Sequence, residues 1–277
     1  MKCDRCGTKL KLIKRNCPNC GKDQTYRYVL LLINIVLLVS SSISFIWLSK
    51  YRAMALIAFF AYFNISCKAC SRQEYNSSEI LSLIVFELLG IIIGAKLFSY
   101  IASYPNTKSV IEAGMSAYGA LIGIIVMIGL YEFVYRKDIF EILRIILVPV
   151  PLVYAIGKIG CSLTGCCYGM NYSGFLHMNY KNSIGAPNGV DLFPIQPLET
   201  ICFSLAFIIL YKLKVKDKTK CGLIFIICGI LKFVLDFLRA GRAEVLSINQ
   251  KTSIVFVIIG IVFLIIKEKK TKKEGDL

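Results

Sequence analysis

The feature that most constrains this chain is a series of long apolar runs separated by short polar segments. A helix needs about 20 apolar residues to cross the hydrocarbon core of a bilayer. The mean hydropathy of the 277-residue chain is +0.66, and 56% of its residues are hydrophobic, which excludes a soluble domain. We therefore predict an all-α integral membrane protein with about eight transmembrane helices. The predicted spans lie near residues 28–49, 53–70, 80–102, 115–135, 140–158, 197–213, 221–238 and 252–267.

The basic residues orient these spans. The chain carries 33 Lys and Arg against 17 Asp and Glu, a net charge of +16. In so apolar a chain this excess indicates cytoplasmic membrane flanks and not a nucleic-acid-binding surface. With the N-terminus placed in the cytoplasm, the inner segments carry about three times as many Lys and Arg as the outer ones. Both termini are therefore predicted to be cytoplasmic, and the longest outer loop is predicted at 159–196.

Charged side chains fall in the outer half of four predicted spans. Charges in hydrocarbon are costly and are by default functional candidates. Snorkelling to the headgroups explains any one of them, but several at one depth favour a polar pocket for an anionic phospholipid. Three of them have the i, i+4, i+7 spacing of one helical face. The set comprises Lys96, Lys158, Glu199, Lys232, Asp236 and Arg239.

A cysteine- and glycine-rich stretch, "KIGCSLTGCCYG" (158–169), follows the fifth span. Its glycines let the backbone turn sharply after Lys158 and present N–H groups to a ligand. Small packing residues are the favoured interpretation of Cys161, Cys166 and Cys167, with a disulfide as the alternative. The chain has one histidine, His177, which lies in the same outer loop. Because there is only one, chemistry based on a histidine cluster is excluded.

The N-terminal residues contain a second cysteine pattern, two CxxC pairs each followed by glycine. Four thiolates at this spacing predict a structural zinc site in a small ribbon at residues 1–26. A pair of disulfides is the alternative, but the reducing cytoplasm argues against it. The ribbon is expected to be an adaptor with a cytoplasmic partner and not a catalytic centre. Its ligands are Cys3, Cys6, Cys17 and Cys20.

Six short motifs, taken together and in order, resemble those of the bacterial prolipoprotein diacylglyceryl transferases. They are "YRAMALI" (51–57), "GAKLFSY" (94–100), "EAGMSAYGALIG" (112–123), "GKIGCSLTGCCYG" (157–169), "FPIQPLE" (193–199) and "LKFVLDFLRA" (231–240). The resemblance implies a seven-helix transferase core at 51–267, preceded by an extra helix at 27–50 and followed by a basic tail at 268–277.

The resemblance also implies a reaction at the outer face of the bacterial cytoplasmic membrane. A diacylglyceryl group moves from phosphatidylglycerol to the lipobox cysteine thiol of a prolipoprotein, and glycerol phosphate leaves. No catalytic cofactor is expected. The implied catalytic residues are Tyr118, Lys158, Asp236 and Arg239. The implied phospholipid-binding residues are Tyr51, Lys96, Gly169, Gln196, Glu199 and Lys232.

Several positions depart from the family pattern. The family's histidine in the glycine-rich helix is Tyr118, whose phenol is a poor base near neutral pH. Lysines replace three family arginines, and Asp236 replaces a glutamate. The signature asparagine and glutamate are Cys161 and Cys166. Two alternatives therefore remain: a divergent transferase with another acceptor, and a non-catalytic phospholipid-binding or transport protein.

Overall fold

The computed structural model describes residues 3, 6–9, 16–103, 109–110, 112, 117–183, 185–240 and 246–266. Over these ranges the chain is mostly helical, as predicted, and a two-stranded antiparallel sheet pairs β1 (Met178–Asn179) with β2 (Asp191–Leu192). The helices are α1 (Thr25–Ile43), α2 (Lys50–Arg72), α3 (Ser77–Ser103), α4 (Ala117–Tyr135), α5 (Ile139–Leu147), α6 (Val150–Thr164), α7 (Ile195–Lys212), α8 (Asp217–Leu235) and α9 (Ile248–Ile265).

The helices confirm a multi-pass membrane fold. In the described residues, six segments are long and apolar enough to cross a bilayer, and α4 and α9 contain shorter apolar stretches. The predicted fifth span consists of two helices, because Pro149 and Pro151 separate α5 from α6. The six segments are Thr25–Ile46, Lys50–Arg72, Ser77–Ile101, Ile139–Thr164, Ile195–Lys212 and Asp217–Leu238.

The chain divides into two compact units. The first comprises Met1–Trp47 and Leu56–Ile146, and the second comprises Leu48–Ala55 and Leu147–Leu277. Aromatic and branched side chains from α2, α3, α4 and α5 form the core of the first unit. In the second unit, α6, α7 and α8 share a smaller apolar core around Ala155, and α9 packs along α8.

Glycines allow α3 and α4 to pack backbone against backbone in the first unit. A Cβ atom added to Gly94 would lie 2.2 Å from the carbonyl oxygen of Gly119, and one added to Gly123 would lie 2.0 Å from that of Gly90. Distances this short leave no room for a side chain. Gly119 and Gly123 of α4 therefore serve a close helix–helix contact.

An asparagine pair joins α1 to α2 within the first unit. The side-chain amide of Asn34 on α1 donates to Asn64 on α2 at 3.0 Å, and Asn64 donates back at 2.9 Å. Amide pairs between helices add polar attraction where lipid gives no hydrophobic drive for association. This pair fixes the register of α1 against α2.

Candidate active site

In the second unit, α6, α7 and the end of α8 bring three cations to one carboxylate. Glu199 on α7 is fully buried. Its Oε2 lies 2.9 Å from Lys158 Nζ, and its Oε1 lies 3.3 Å from Lys232 Nζ. Arg239 Nη2 donates to both carboxylate oxygens, at 2.9 and 3.0 Å. Four of the residues that the sequence selected therefore meet at a single point.

Tyr154 completes this cluster, and sequence reasoning missed it. Its hydroxyl donates to Glu199 Oε1 at 2.8 Å and accepts from Lys232 Nζ at 2.6 Å. Both Lys158 and Lys232 place Nζ 5.1 Å from the centre of its ring, within cation–π range. The signal was available, because Tyr154 lies one helical turn before Lys158 on the same face.

The charges of this cluster do not balance. Three cations surround one carboxylate, so the group of four side chains carries an excess of positive charge. Arg239 Nε is buried and has no hydrogen-bond partner in the described residues. The nearest acidic oxygen recorded for it, Asp236 Oδ1, is 3.8 Å away. Excess charge and a buried donor make the cluster suited to receive another anion.

Asp236 is oriented differently from the helical expectation. Regular helix ends at Leu235, and residues Asp236–Leu238 form a 3-10 turn before Arg239 becomes extended. The carboxylate of Asp236 accepts from Asn249 Nδ2 at 3.2 Å and from Ser247 Oγ at the start of α9. The expectation of one continuous helical face for Lys232, Asp236 and Arg239 is therefore wrong beyond Leu235. Lys232 and Arg239 still meet at Glu199, whereas Asp236 anchors α9.

The loop after α6 holds Arg239 in place. Met170 N donates to Leu238 O at 3.0 Å, and Ala240 N donates to Tyr168 O at 3.2 Å. Gly169 lies between these bonds, and a Cβ there would be 2.3 Å from the carbonyl oxygen of Phe193. Only glycine permits this approach, so the packing of the loop requires a glycine at position 169.

Gln196 fixes the same loop from α7. Its Nε2 donates to the carbonyl of Cys166 at 3.0 Å and to Tyr180 Oη at 3.2 Å. The side chain is almost fully buried. The conformation of the cysteine-bearing turn therefore depends on the helix that carries Glu199.

Known proteins share most of this chain's length. Residues 38–266 match the prolipoprotein diacylglyceryl transferase family. The chain is 31% identical to a phosphatidylglycerol–prolipoprotein diacylglyceryl transferase of Clostridium tetani (strain Massachusetts / E88), over 76% of this chain and 90% of that protein. It is 30% identical to phosphatidylglycerol–prolipoprotein diacylglyceryl transferase 2 of Clostridium perfringens (strain 13 / Type A), over 75% of this chain and 86% of that protein. A phosphatidylglycerol–prolipoprotein diacylglyceryl transferase of Dehalococcoides mccartyi (strain ATCC BAA-2266 / KCTC 15142 / 195) is 24% identical over 83% of this chain and 92% of that protein.

The chain belongs to the prolipoprotein diacylglyceryl transferase family. The match begins inside α1 and ends at residue 266, one residue after α9, so it includes most of both compact units. The resemblance predicted from the six motifs is confirmed. Membership of this family and the membrane-spanning helices together indicate a multi-pass protein of the bacterial cytoplasmic membrane.

The other site residues predicted from the transferase motifs lie in separate places. Tyr51 belongs to the second unit and packs on Gly160, whose added Cβ would lie 3.2 Å from the tyrosine ring. Lys96 lies on α3 in the first unit and is half-buried. Tyr118 lies in the first turn of α4, and its side chain is outside the described residues. His177 is exposed in the loop, with Nε2 3.5 Å from Asp191.

The three signature cysteines of this transferase-family chain converge. The sulfur atoms of Cys161, Cys166 and Cys167 all lie within 4.8 Å of one another, and all three are free thiols. Gly165 ends α6 in the left-handed conformation, at φ 74°, and Cys167 is also left-handed, at φ 53°. A hydrogen bond with Cys161 and the charges of Lys158 and Arg239 lower the pKa of the Cys167 thiol, although burial opposes them.

The N-terminal cysteines form a second cluster, in the first unit. Cys3 Sγ lies 3.6 Å from Cys20 Sγ, and Cys6 Sγ lies 3.5 Å from Cys17 Sγ. Sulfurs bound at 2.3 Å to a tetrahedral ion are about 3.8 Å apart, so these four cysteines could hold a metal ion. A hydrogen bond from Lys22 Nζ to the carbonyl of Ser71 fastens the cluster to the end of α2.

Proposed function

We propose that this protein transfers a diacylglyceryl group from phosphatidylglycerol to the lipobox cysteine thiol of a prolipoprotein and releases glycerol phosphate. Family membership supports the reaction class. The observation that carries the proposal to particular atoms is the cation cluster around Glu199. It has an excess of positive charge, and the Nε of Arg239 has no hydrogen-bond partner among the described residues. A phosphodiester is the anion that such donors would hold.

Each cation has a distinct part in this proposal. Lys158 and Lys232 are compact point charges that can move from Glu199 to a phosphate oxygen. Arg239 donates to Glu199 through Nη2, so its Nε–H is available to a phosphate oxygen. These donors would stabilise the negative charge that develops on the leaving glycerol phosphate. Asp236 is a positioning residue, because its carboxylate holds Ser247 and Asn249 beside the turn that carries Arg239.

The remaining motif residues have supporting roles in the proposal. Gly169 and Gln196 shape the turn after α6, and Tyr51 packs against Gly160 on α6. Lys96 is proposed to bind phospholipid, and Tyr118 is proposed to act in catalysis. The phenol of Tyr118 can donate a hydrogen bond but is a weak base near pH 7, with a reference pKa of about 10.

The N-terminal cluster is proposed to be a structural zinc ribbon at residues 1–26. Gly7 and Gly21 follow the two CxxC pairs in left-handed conformations. Their N–H groups bond back to the carbonyls of Cys3 and Cys17 at 2.9 Å, which is the turn of a zinc knuckle. We propose that the ribbon and both termini are cytoplasmic, that 27–50 is an additional helix before a transferase region at 51–267, and that the ribbon meets a cytoplasmic partner.

The test uses the purified full-length protein in micelles that contain phosphatidylglycerol. A lipobox peptide is added, and release of glycerol phosphate is followed. Release is expected with the cysteine peptide and not with a peptide carrying serine instead. Arg239→Gln and Lys158→Ala should each lower the rate by about 100-fold or more, the cost of losing one oxyanion donor. Lys137→Met, on a surface ion pair of the first unit, is the control and should leave the rate unchanged.

Two results would contradict the proposal. Thiol-dependent release that survives both Arg239→Gln and Lys158→Ala would place the reaction elsewhere. Phosphatidylglycerol that binds to the protein without any release would indicate another acceptor or a lipid-binding role.

A further inference from the structure

Three thiols beside the cation cluster have no part in the transfer as described so far. The sulfur atoms of Cys161, Cys166 and Cys167 lie within 4.8 Å of one another. Cys161 is buried at the end of α6, Cys166 is half-buried, and Cys167 is exposed. The group is therefore closed on one side and open on the other. Three converging sulfur donors with one open side resemble a metal site that retains a free coordination position.

The backbone of the turn brings these sulfurs together. Gly165 reverses the chain in a left-handed conformation, and Cys166 N donates to Cys161 O at 3.1 Å. Cys167 is itself left-handed, which is uncommon for a residue other than glycine. Thr164 Oγ1 donates to Cys166 Sγ at 3.5 Å, the kind of outer hydrogen bond that orients a metal ligand. The convergence is thus built from several independent contacts.

Zinc is the ion that these donors fit. Thiolates bind soft and borderline ions, and zinc sites that act on substrates use three protein ligands plus one exchangeable position. Sulfurs around tetrahedral zinc are about 3.8 Å apart, so the three thiols need to approach one another by no more than about 1 Å. Lys158, three residues before Cys161 on α6, carries a positive charge that would offset part of the negative charge of the bound thiolates.

Resting on the proposed transfer function, we propose that Cys161, Cys166 and Cys167 hold a zinc ion whose fourth position binds the acceptor cysteine as a thiolate. The thiol proton passes to water when the sulfur binds. A sulfur lone pair then forms the carbon–sulfur bond to the diacylglyceryl group. The carbon–oxygen bond to the phosphate breaks, and glycerol phosphate leaves with that electron pair. Zinc is neither oxidised nor reduced, and the neutral thioether is a weaker ligand that dissociates.

Such a zinc site would deprotonate the acceptor thiol, for which the glycine-rich helix offers no histidine base. A free cysteine with a pKa of about 8.5 is only about 3% thiolate at pH 7, whereas a metal-bound thiol is deprotonated outright. Zinc binding would therefore raise the fraction of acceptor cysteine present as thiolate by about 30-fold. Tyr118 stands where a histidine base is expected from the motif, and a phenol gives little of this effect. Lys158 lies three residues before Cys161 on α6, and Tyr168, next to Cys167, accepts a hydrogen bond from Ala240, next to Arg239. The acceptor sulfur would therefore bind close to the donors proposed for the phosphate.

The first measurement is the zinc content of the full-length protein purified in phosphatidylglycerol micelles under reducing conditions. Two zinc ions per chain are expected, one in each cluster. The Cys166→Ser/Cys167→Ser double variant should retain one, and so should Cys17→Ser/Cys20→Ser. Cys228→Ser, a thiol of the same unit outside the cluster, is the control and should retain two. The proposal would be overturned if the unchanged protein held only one zinc and the Cys166→Ser/Cys167→Ser variant kept it, or if that variant still held two.

The second measurement needs no change in the cluster, so it does not depend on folding of its variants. The Cys17→Ser/Cys20→Ser variant is loaded with cobalt, which then reports only on the signature cysteines. Adding the lipobox peptide should raise the sulfur-to-cobalt absorption by about one third, because three thiolates become four. The serine peptide should have no effect. An unchanged spectrum, or recovery of two of the three cysteines as a disulfide, would overturn the proposal.

Activity separates this proposal from the transfer function on which it rests. Cys167→Ser should lower thiol-dependent release about 30-fold at pH 7. Removing the metal with a chelator should cause a loss of the same size, and adding zinc back should reverse it. Release that needs no metal would overturn the zinc proposal and leave the transferase intact. A cobalt spectrum that responds to the peptide thiol, with no release from any preparation, would support the thiol site and contradict the transfer function.

Discussion

Replacing Glu199 by Gln tests whether one carboxylate holds the second unit's cations together. Glutamine keeps the size of the side chain and an oxygen that can accept from Tyr154, but it removes the negative charge. Lys158 is only 7% exposed, so its ammonium would be left buried without a counter-ion. Breaking a buried ion pair in this way costs about 3–5 kcal/mol. At about 2–4 °C per kcal/mol for a chain of this size, the melting temperature should fall by about 6–20 °C.

The assay is thermal loss of helical circular dichroism in phosphatidylglycerol micelles. Glu79→Gln is the matched control, because Glu79 pairs with Lys137 at 3.1 Å near the surface of the first unit, with side chains 14% and 26% exposed. A partly exposed pair near the surface contributes about 0–1 kcal/mol, so this change should lower the melting temperature by less than about 4 °C. Equal shifts for the two variants would refute the view that Glu199 is an energetic centre.

Three further predictions concern glycines and the N-terminal ribbon. Gly94→Ala should destabilise the protein by about 1–3 kcal/mol, because its Cβ meets the α4 backbone; Gly129→Ala, with no atom within 4 Å, should be neutral or stabilising in the same melting assay. Gly165→Ala should lower both the melting temperature and glycerol phosphate release more than Gly189→Ala, because both glycines have a positive φ but only the first is crowded. Removing metal with a chelator should expose the four ribbon thiols to iodoacetamide while the helical signal stays within about 10%; equal labelling before and after chelation would contradict a bound metal in the ribbon.

The sequence was sufficient to predict the spans because bilayer-length apolar runs admit few other structures. It was less informative where one helix ends and the next begins. The break between α5 and α6 at Pro149 lies inside one predicted span, since hydropathy measures composition and not backbone geometry. The 3-10 turn at Asp236–Leu238 was missed for the same reason, and with it the contact of Asp236 with α9.

The candidate site could be predicted as a set of residues but not as an arrangement. Depth in the bilayer selected Lys158, Lys232, Arg239 and Glu199 because buried charges are costly and rare. Nothing in that reasoning says which group occupies the centre, since depth gives no direction around a helix axis. Glu199 is the centre because it alone carries the opposite charge to three neighbours at this point. Tyr154 was missed because an aromatic residue in an apolar run looks like ordinary packing.

The position of Glu199 has a consequence for selectivity. Its carboxylate is paired with Lys158, Lys232 and Arg239 when no ligand is bound. An incoming anion must therefore compete with Glu199 for the same hydrogen-bond donors. Binding at such a site is an exchange, and its net strength is the small difference between two similar sets of hydrogen bonds. Chloride or free phosphate has no acyl chains to tip that balance. If the cluster receives a lipid headgroup, as we propose, the built-in carboxylate keeps the site closed to the salts of the surrounding medium.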